Sequence, residues 1–364
     1  MTNERVIYDV SVLPTGLRGG VVTIGNFDGV HLGHQRILSA CRAAADSRRA
    51  PVVAVTFDPL PEAVLFPRQA PPPLILPPVQ RYRRLIEHGA DGVVVLSVTP
   101  ALLALSAREF VDDLLMKHLA PTLVVEGTNF RFGRRREGDI ATLETLGRAR
   151  GFTVSVVRNA GVSPARLAGI LPASGEGDSA SSSGQENGTH SAGGTPASRG
   201  TPASRGTPAP RISSTLIREL VRDGLVEEAA ACLGGPFTLF GRVVTGQRRG
   251  RSMGFPTINL QPDAGGTPVL LPGDGVYAGR ACIGGRCHLA AVSVGTNPTF
   301  GPADRTVEAF LIDTEGDFYG LETSLSFLRR LRDAQRFGSA DALKEQIGRD
   351  VEAIRLLHVA WRAL

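Results

Sequence analysis

The chain has 364 residues, which is long enough for two domains that each bury a full-sized hydrophobic core. Its formal net charge is +5, and the basic charge is nearly all arginine because Lys117 and Lys344 are the only lysines. Arginine suits bidentate phosphate binding, but a GC-rich genome produces the same bias. The basic runs at 134–136 and 248–251 are short and lack interleaved aromatic residues, which argues against a nucleic-acid partner.

The four cysteines show no spacing typical of a disulfide framework. Cys282 and Cys287 flank a pair of glycines, and we expect them to face each other across two strands rather than to hold a metal. The N-terminus lacks a basic-then-apolar signal pattern, and no apolar run reaches about 18 residues. We therefore expect a protein of the reducing cytoplasm that has no membrane partner.

An apolar run at 21–24 predicts a strand that ends in a glycine-punctuated turn at 25–29, followed by a helix from about 30 to 45. In an α/β fold, this arrangement presents a helix N-terminus to an anion. His31 and His34 lie in the first helical turn on one face, where they can donate hydrogen bonds to phosphate oxygens. Two surface histidines are the simpler interpretation. Zinc is a weaker one, because the HExxH spacing is absent and no cysteine lies close.

Strands alternate with helices through the rest of the first half. The strands are predicted at 52–57, 93–98, 123–126 and 153–157, and the helices at 79–87 and, behind a capping box of Ser106 and Glu109, at 107–119. This alternation predicts a parallel doubly wound sheet, whose ligands lie beyond the carboxyl ends of the strands. The turns at 25–34, 57–58 and 129–133 should therefore surround one crevice.

A low-complexity stretch at 163–210 interrupts the first half. Its composition collapses to glycine, serine, proline, alanine and threonine, and the sequence GTPASR at 194 and 200 is followed by GTPAPR at 206. Such a segment lacks the apolar area that it needs to order itself. We therefore predict a disordered insertion rather than a domain.

Behind the insertion, Ser213, Ser214 and Thr215 resemble the N-cap of a helix, and Arg218 lies one turn on from Ser214. An ordinary capped helix explains this pattern. A phosphate site explains it as well, because helix-terminus amides, hydroxyls and a guanidinium are the groups that bind phosphates. The helical pattern continues over 221–233.

The second half changes character after 234–236. Short β-prone runs occur at 237–244, 276–283, 288–294, 305–312 and 324–331, and a predicted helix at 340–357 closes the chain. Several short strands separated by glycine turns predict a small barrel or a sandwich. The half contains no Walker A sequence, because neither lysine of the chain follows a glycine-rich loop.

Glu308 stands in an apolar strand pattern, where alternation places it on the same face as Phe310 and Ile312. One interpretation is a gatekeeper charge on an edge strand. The other is a general base whose pKa is raised by apolar neighbours. The spacing alone leaves both open.

The string GNFDGVHLGH at 25–34 resembles the signature G-x-F-D-G-x-H-x-G-H of the nucleotidyltransferase superfamily that includes bacterial FMN adenylyltransferases. Residues 212–218 match the second phosphate-contacting motif of those enzymes, I-S-S-T-x-I-R, and 127–133 is similar to their G-x-D/N-F-x-F-G element. Residues 57–61 resemble F-D-P-H-P, but Leu60 replaces the histidine. Besides the two histidines, the resemblance implies nucleotide or phosphate contacts by Gly25, Phe27, Asp28, Gly29, Asn129, Ser213, Ser214, Thr215 and Arg218.

Residues 246–259 resemble the opening motif of the riboflavin kinases, G-x-x-x-G-R-x-x-G-F-P-T-x-N. In that family the threonine and asparagine of P-T-x-N hold magnesium and the ATP phosphates, which implies Thr257 and Asn259 here. Glu308 occupies the position of the family's catalytic glutamate. The segment at 331–337 is similar to L-R-D-E-x-K-F, except that Ala334 replaces the glutamate. The implied nucleotide contacts are Gly250, Arg251, Gly254, Thr257, Asn259 and Asn297.

Together these motifs resemble the bacterial bifunctional riboflavin kinases/FMN adenylyltransferases, also called FAD synthetases. The resemblance implies a Rossmann-like adenylyltransferase domain at 1–234, which contains the insertion, and a β-barrel kinase domain with a C-terminal helix at 236–364. It implies that Glu308 takes the proton of the riboflavin 5′-hydroxyl as the γ-phosphoryl group of ATP is transferred. The FMN phosphate would then attack the α-phosphorus of ATP, with His31, His34 and Arg218 positioning the phosphates and stabilising charge.

Magnesium is the implied cofactor, and riboflavin, FMN and ATP are the implied partners. We expect a monomer or a weak homo-oligomer that binds neither nucleic acid nor membrane. Two alternatives stay open. In the first, only one of the two activities is retained, because Leu60 and Ala334 depart from the family motifs. In the second, the scaffold serves a flavin-responsive regulatory or nucleic-acid-binding protein.

Overall fold

The structure is a computed structural model that describes residues 3–66, 68–158, 211–245, 254–263, 265–296 and 305–362. The insertion at 163–210, for which disorder is predicted, lies outside the described residues. So do three of the candidate site residues, Gly250, Arg251 and Asn297.

The first half of the chain forms a six-stranded parallel sheet, as the alternation of strands and helices predicts. Its strands are β1 (Val6–Ile7), β2 (Val21–Ile24), β3 (Val52–Asp58), β4 (Gly92–Ser97), β5 (Leu123–Gly127) and β6 (Thr153–Val157). They lie in the order β1-β4-β3-β2-β5-β6. The order reverses between β2 and β5, and such a switch point is where doubly wound sheets bind ligands.

Helices form two core layers with this sheet, one with α1 and α3 and the other with α6 and a π-helix. They are α1 (Leu32–Arg48), α2 (Pro61–Leu65), α3 (Pro78–Glu87), α4 (Pro100–Ala104), α5 (Ala107–Glu109), which continues as the π-helix (Phe110–Leu119), and α6 (Ile140–Arg150). The predicted capping box of Ser106 and Glu109 is present. The predicted start of α1 is two residues early, because His31 is the N-cap residue.

Two helices, α7 (Ser214–Arg222) and α8 (Val226–Leu233), follow the insertion. The prediction of continuous helix over 221–233 is wrong, because Gly224 adopts a φ of 77° and ends α7. Its N–H donates to the carbonyl of Val221 at 3.0 Å. A left-handed glycine is a common way to end a helix, because it lacks the Cβ that would clash.

The second half closes into a six-stranded antiparallel barrel rather than a sandwich. Its strands are β7 (Phe237–Val244), β8 (Thr257–Pro262), β9 (Gly275–Ile283), β10 (Arg286–Thr296), β11 (Arg305–Leu311) and β12 (Glu322–Arg332). The sequence patterns do not predict β8, which carries a proline at its end. The closing helix α9 (Ala340–Arg362) packs through Val351 and Ile354 against Ala278 and Ile312.

Cys282 and Cys287 occupy opposite positions on β9 and β10, so the prediction that they face each other is confirmed. A disulfide joins them in this structure. The other two cysteines, Cys41 and Cys232, are buried and free.

Helices α7 and α8 and the loop before α3 make contacts between the two halves. Ile217 and Val226 belong to the same core cluster as Phe237 of the barrel. Leu74, in the loop before α3, donates its N–H to the carbonyl of Pro268 and accepts from the N–H of Leu270, at 2.8 and 3.0 Å. The loop and the two helices therefore link the parallel sheet to the barrel.

Candidate active sites

At the switch point, β2 leads into the turn at 25–29. The N–H of Gly25 donates to the carbonyl of Val55 at 3.0 Å, which fixes the turn to β3. Phe27 and Val30 adopt positive φ angles of 49° and 40°, and strained conformations of this kind cluster at functional sites. The side chain of Phe27 is 1% exposed and lies in the core. It therefore anchors the strained turn.

Gly29 completes this turn with a φ of 85°. A Cβ at this position would lie 3.1 Å from the Ile75 side chain and 3.3 Å from that of Leu233. Both the backbone conformation and the close packing therefore favour glycine here.

His31 and His34 lie together at the N-terminus of α1. Their rings stack with centroids 3.7 Å apart and planes inclined by 17°, so they share one face as the spacing predicts. Phe27 contacts the His34 ring edge-on at 5.1 Å. A Cβ on Gly33 would lie 3.0 Å from the His31 ring. This glycine therefore makes room for the histidine pair.

The histidine pair is buried and incompletely hydrogen-bonded. Burial lowers the pKa of His31 to about 4. Burial, together with the charge that His31 would carry, holds the pKa of His34 well below its usual value. Both rings are therefore neutral near pH 7. Each has a buried Nδ1 atom without a hydrogen-bond partner among the described residues, so a ligand that supplies a partner gains binding free energy here.

A buried ion pair joins the two motifs of this half. The Nη2 atom of Arg218 lies 2.6 Å from the Oδ2 atom of Asp28, and the two side chains are 12% and 1% exposed. The carboxylate also accepts hydrogen bonds from the N–H groups of Ile75 and Leu76, at 3.1 and 3.3 Å. Burial raises the pKa of Asp28, and Arg218 opposes that shift. Arg218 also donates to the carbonyl of Pro73 at 2.9 Å, so most of its guanidinium binds the protein itself.

The hydroxyls at the start of α7 differ in their surroundings. Ser213 caps the helix as predicted, and its Oγ accepts from the N–H of Leu216 at 3.2 Å. Ser214 donates to the carbonyl of Asp28 at 2.9 Å, so its hydroxyl binds the protein itself. Thr215 is exposed.

On the far side of the switch point, β5 ends next to Asn129. This side chain is exposed, with its Oδ1 atom 3.5 Å from the Thr128 hydroxyl. The structure therefore brings the turn at 25–29, the histidine pair and the start of α7 together, whereas Asn129 follows the neighbouring strand β5.

In the parallel-sheet half, two buried charged residues, Glu126 and Arg81, are not identified by the sequence analysis. Glu126, at 2% exposure, accepts a hydrogen bond from the N–H of Ile24 at 2.6 Å, and burial raises its pKa well above the usual value. A carboxylate at the end of an apolar strand is the sequence signal that points to it. Arg81 is fully buried and donates to the carbonyl of Phe57 at 2.9 Å, but its Nε and Nη1 atoms have no partner among the described residues. In the sequence, nothing distinguishes it from Arg83 and Arg84 in the same helix, which are exposed and half-buried respectively.

The second site lies on the barrel, where three candidate residues meet. Glu308 on β11 is directly opposite Asn259 on β8 and Ser293 on β10. The hydroxyl of Thr257 donates to the Oε2 atom of Glu308 at 3.2 Å. Because β11 is paired on both sides in a closed barrel, the edge-strand interpretation of Glu308 is wrong. Gly254, with a φ of 85°, stands just before this group.

This donor set fits magnesium, because a hydroxyl, an amide oxygen and a carboxylate are the hard oxygen donors that the ion prefers, with ATP phosphates completing its shell. The alternative of a histidine- or cysteine-rich centre finds no support in the described part of the chain, which contains no group of three or more His, Cys, Asp or Glu residues able to hold a metal.

Comparisons with known proteins agree with this division into two sites. A family model described as FAD synthetase matches residues 14–167, and one described as riboflavin kinase matches residues 233–358. A protein from Escherichia coli K12 named bifunctional riboflavin kinase/FMN adenylyltransferase is 33% identical over 347 residues, which are 95% of this chain and 94% of that protein. The chain belongs to this family. A relative of the same name from Pseudomonas fluorescens is also 33% identical, over 93% of both chains.

The present chain, a member of this bifunctional family, has the same overall architecture as a solved structure. The solved structure is described as a macrolide-efflux protein from Streptococcus pneumoniae, with a TM-score of 0.75 and 27% identity over 96% of this chain and 98% of that one. That description refers to the other protein. Within the described ranges of the present chain, no helix is both long and apolar enough to cross a membrane.

The buried ion pair predicts a large loss of stability on substitution of Arg218. Arg218→Met leaves Asp28 buried without its counter-charge, and we expect the free energy of unfolding to fall by about 3–5 kcal/mol. The measurement is urea unfolding followed by circular dichroism. Arg222→Met, an exposed arginine on the same helix, is the matched control and should change stability by less than about 0.5 kcal/mol. Equal effects of the two substitutions would contradict a structural role for the pair.

The lowered pKa of His31 predicts a loss of stability in acid. The unfolded chain binds a proton near pH 6.5 and the folded chain only near pH 4, so this residue makes stability fall as pH falls through that window. We expect His31→Gln to remove this part of the slope, which is at most about 1.4 kcal/mol per pH unit. Urea unfolding of both proteins between pH 4 and pH 7 measures it, and parallel curves would disprove the assignment.

Proposed function

We propose that the barrel phosphorylates riboflavin to FMN at Glu308, Thr257 and Asn259, and that the crevice of the parallel sheet adenylylates FMN to FAD at His31 and His34. The observation that carries the assignment is the contact between the Thr257 hydroxyl and the Glu308 carboxylate on neighbouring strands. This contact joins the opening kinase motif to the proposed base, and both lie far along the chain from the histidine pair. Each half then has its own complete set of reactive groups.

In the kinase step, Glu308 accepts the proton of the riboflavin 5′-hydroxyl as that oxygen attacks the γ-phosphorus of ATP. The bond from the γ-phosphorus to the bridging oxygen breaks, and ADP leaves. The Thr257 hydroxyl holds the Glu308 carboxylate in place. A magnesium ion on the oxygens of Thr257 and Asn259 would neutralise charge on the phosphates.

In the adenylyl step, the FMN phosphate is already ionised and needs no general base. Its oxygen attacks the α-phosphorus of ATP, and pyrophosphate leaves. Neutral His31 and His34, at the positive end of the α1 dipole, donate hydrogen bonds to phosphoryl oxygens as negative charge grows on them. Arg218 contributes by holding Asp28, and thereby the turn at 25–29, in position.

We further propose that the enzyme works in the cytoplasm as a monomer or a weak homo-oligomer, without nucleic acid as a partner. In a reducing compartment, Cys282 and Cys287 would be thiols. Alkylation of thiols in intact cells, followed by mass spectrometry of the tryptic peptides, tests the location. Recovery of Cys282 and Cys287 entirely as a disulfide, without alkylated thiols, would argue against it.

The separation of the two sites predicts that either histidine can be removed without loss of the first activity. We expect His31→Ala and His34→Ala to stop FAD formation while riboflavin is still converted to FMN. Chromatographic separation of the flavins after incubation with riboflavin, ATP and magnesium provides the measurement, and His118→Ala on the π-helix is the control. Loss of FMN production in a correctly folded His31 or His34 variant would refute the two-site assignment.

Glu308→Gln should reduce riboflavin phosphorylation by about 10²-fold or more, the usual effect of losing a general base. FMN supplied directly should be adenylylated at the wild-type rate. Glu322→Gln, an exposed carboxylate at the start of β12, is the matched control. Near-normal kinase activity of the Glu308 variant would rule out its role as the base.

A further inference from the structure

The parallel ladder between β2 and β5 stops short of the crevice. The paired positions of these two strands end at Val22 and Val124. By contrast, β3 stays paired with β2 through Ile24, and β6 stays paired with β5 through Gly127. Among the neighbouring strands β3, β2, β5 and β6, the sheet therefore opens at the switch point, between the two strands whose following turns flank the proposed adenylyltransferase crevice.

Glu126 lies where the ladder stops. Alternate N–H groups of a strand point to opposite neighbours, and the N–H of Gly25 points to Val55 of β3. The N–H of Ile24 therefore points toward β5, where a backbone carbonyl would continue the ladder. The Oε1 atom of Glu126 receives this hydrogen bond instead, at 2.6 Å. A side-chain acceptor thus takes the place of a backbone one.

Stability alone does not account for a carboxyl group at this position. Glu126 is 2% exposed, and burial raises its pKa well above the usual value, against the effect of the hydrogen bond from Ile24. Burying a carboxyl group costs free energy that an apolar side chain and a continued ladder would avoid. The three residues before Glu126 in β5 are apolar and buried, so a buried apolar side chain is what the rest of this strand uses.

We propose that Glu126 is a positioning residue for adenylyl transfer, which holds β2 and β5 apart at the mouth of the ATP-binding crevice and fixes the Ile24–Gly25 backbone from which the turn to His31 begins. The proposal rests on the function proposed above for this crevice. Glu126 acts through Ile24 and does not touch the reacting atoms.

Two substitutions separate this role from simple packing. Glu126→Gln keeps an oxygen that can accept from Ile24, and we expect FMN adenylylation to stay within a few-fold of the wild type. Glu126→Val removes the acceptor and lets the ladder extend. We expect kcat/KM for adenylylation to fall by about 10- to 100-fold, mainly through a higher KM for ATP, because the crevice narrows and the turn shifts.

Riboflavin phosphorylation by the same protein is the internal control and should not change. The melting temperature of Glu126→Val should equal or exceed that of the wild type, because a buried carboxyl group is gone. If valine prevents folding, Glu126→Met, which matches glutamate in length but accepts no such hydrogen bond, has the same expected loss of adenylylation. Unchanged adenylylation in either variant, or a parallel loss of stability and of both activities, would overturn the proposal.

Amide hydrogen exchange tests the strand separation without reference to activity. The Ile24 amide should exchange more slowly in Glu126→Val than in Glu126→Gln, because only the valine variant can pair β2 with β5 at this point. Equal exchange contradicts the proposal. A wild-type protein that makes no FAD would instead refute the proposed function, and the exchange measurement would still decide the role of Glu126.

Discussion

The adenylyltransferase half depends on one buried contact, the 2.6 Å ion pair between Asp28 and Arg218. Its members lie 190 residues apart along the chain, one in the first phosphate motif and the other in the second. Removing two charges from water is expensive, and the cost is offset here by amide hydrogen bonds to Asp28 and a carbonyl acceptor for Arg218. The pair therefore fixes the geometry of both motifs more than it adds to stability.

The same contact connects the crevice to the barrel. The loop whose amides bind Asp28 also pairs, through Leu74, with Pro268 and Leu270. Helix α7, which supplies Arg218, ends against the barrel, where the N–H of Gly273 donates to the carbonyl of Val221 at 2.9 Å. The two proposed sites have separate reactive groups but share a structural support, so we expect damage to the pair to affect the whole protein rather than one step.

Local sequence patterns predict most of the strands, the helix caps at Ser106 and Ser213 and the shared face of the two histidines, because these depend on neighbours within a turn or a strand. They do not predict that Ser214 and Arg218 bind Asp28, since a partner so far along the chain leaves no local trace. The two-residue strand β1 is recognised by its pairing with β4, and Gly224 breaks a helix that its flanking residues favour. Glu126 and Arg81 can be recognised as structurally important only once the structure shows that they are buried. Charged side chains in a sequence are otherwise expected at the surface.

The central claim is that one chain performs two consecutive reactions at two sites, despite Leu60 and Ala334. The most direct measurement is a time course in which the purified protein is incubated with riboflavin, ATP and magnesium and the flavins are separated. We expect FMN to appear first and then to be converted to FAD, with ADP from the first step and pyrophosphate from the second. FMN that accumulates without FAD, or riboflavin that stays unchanged, would contradict it.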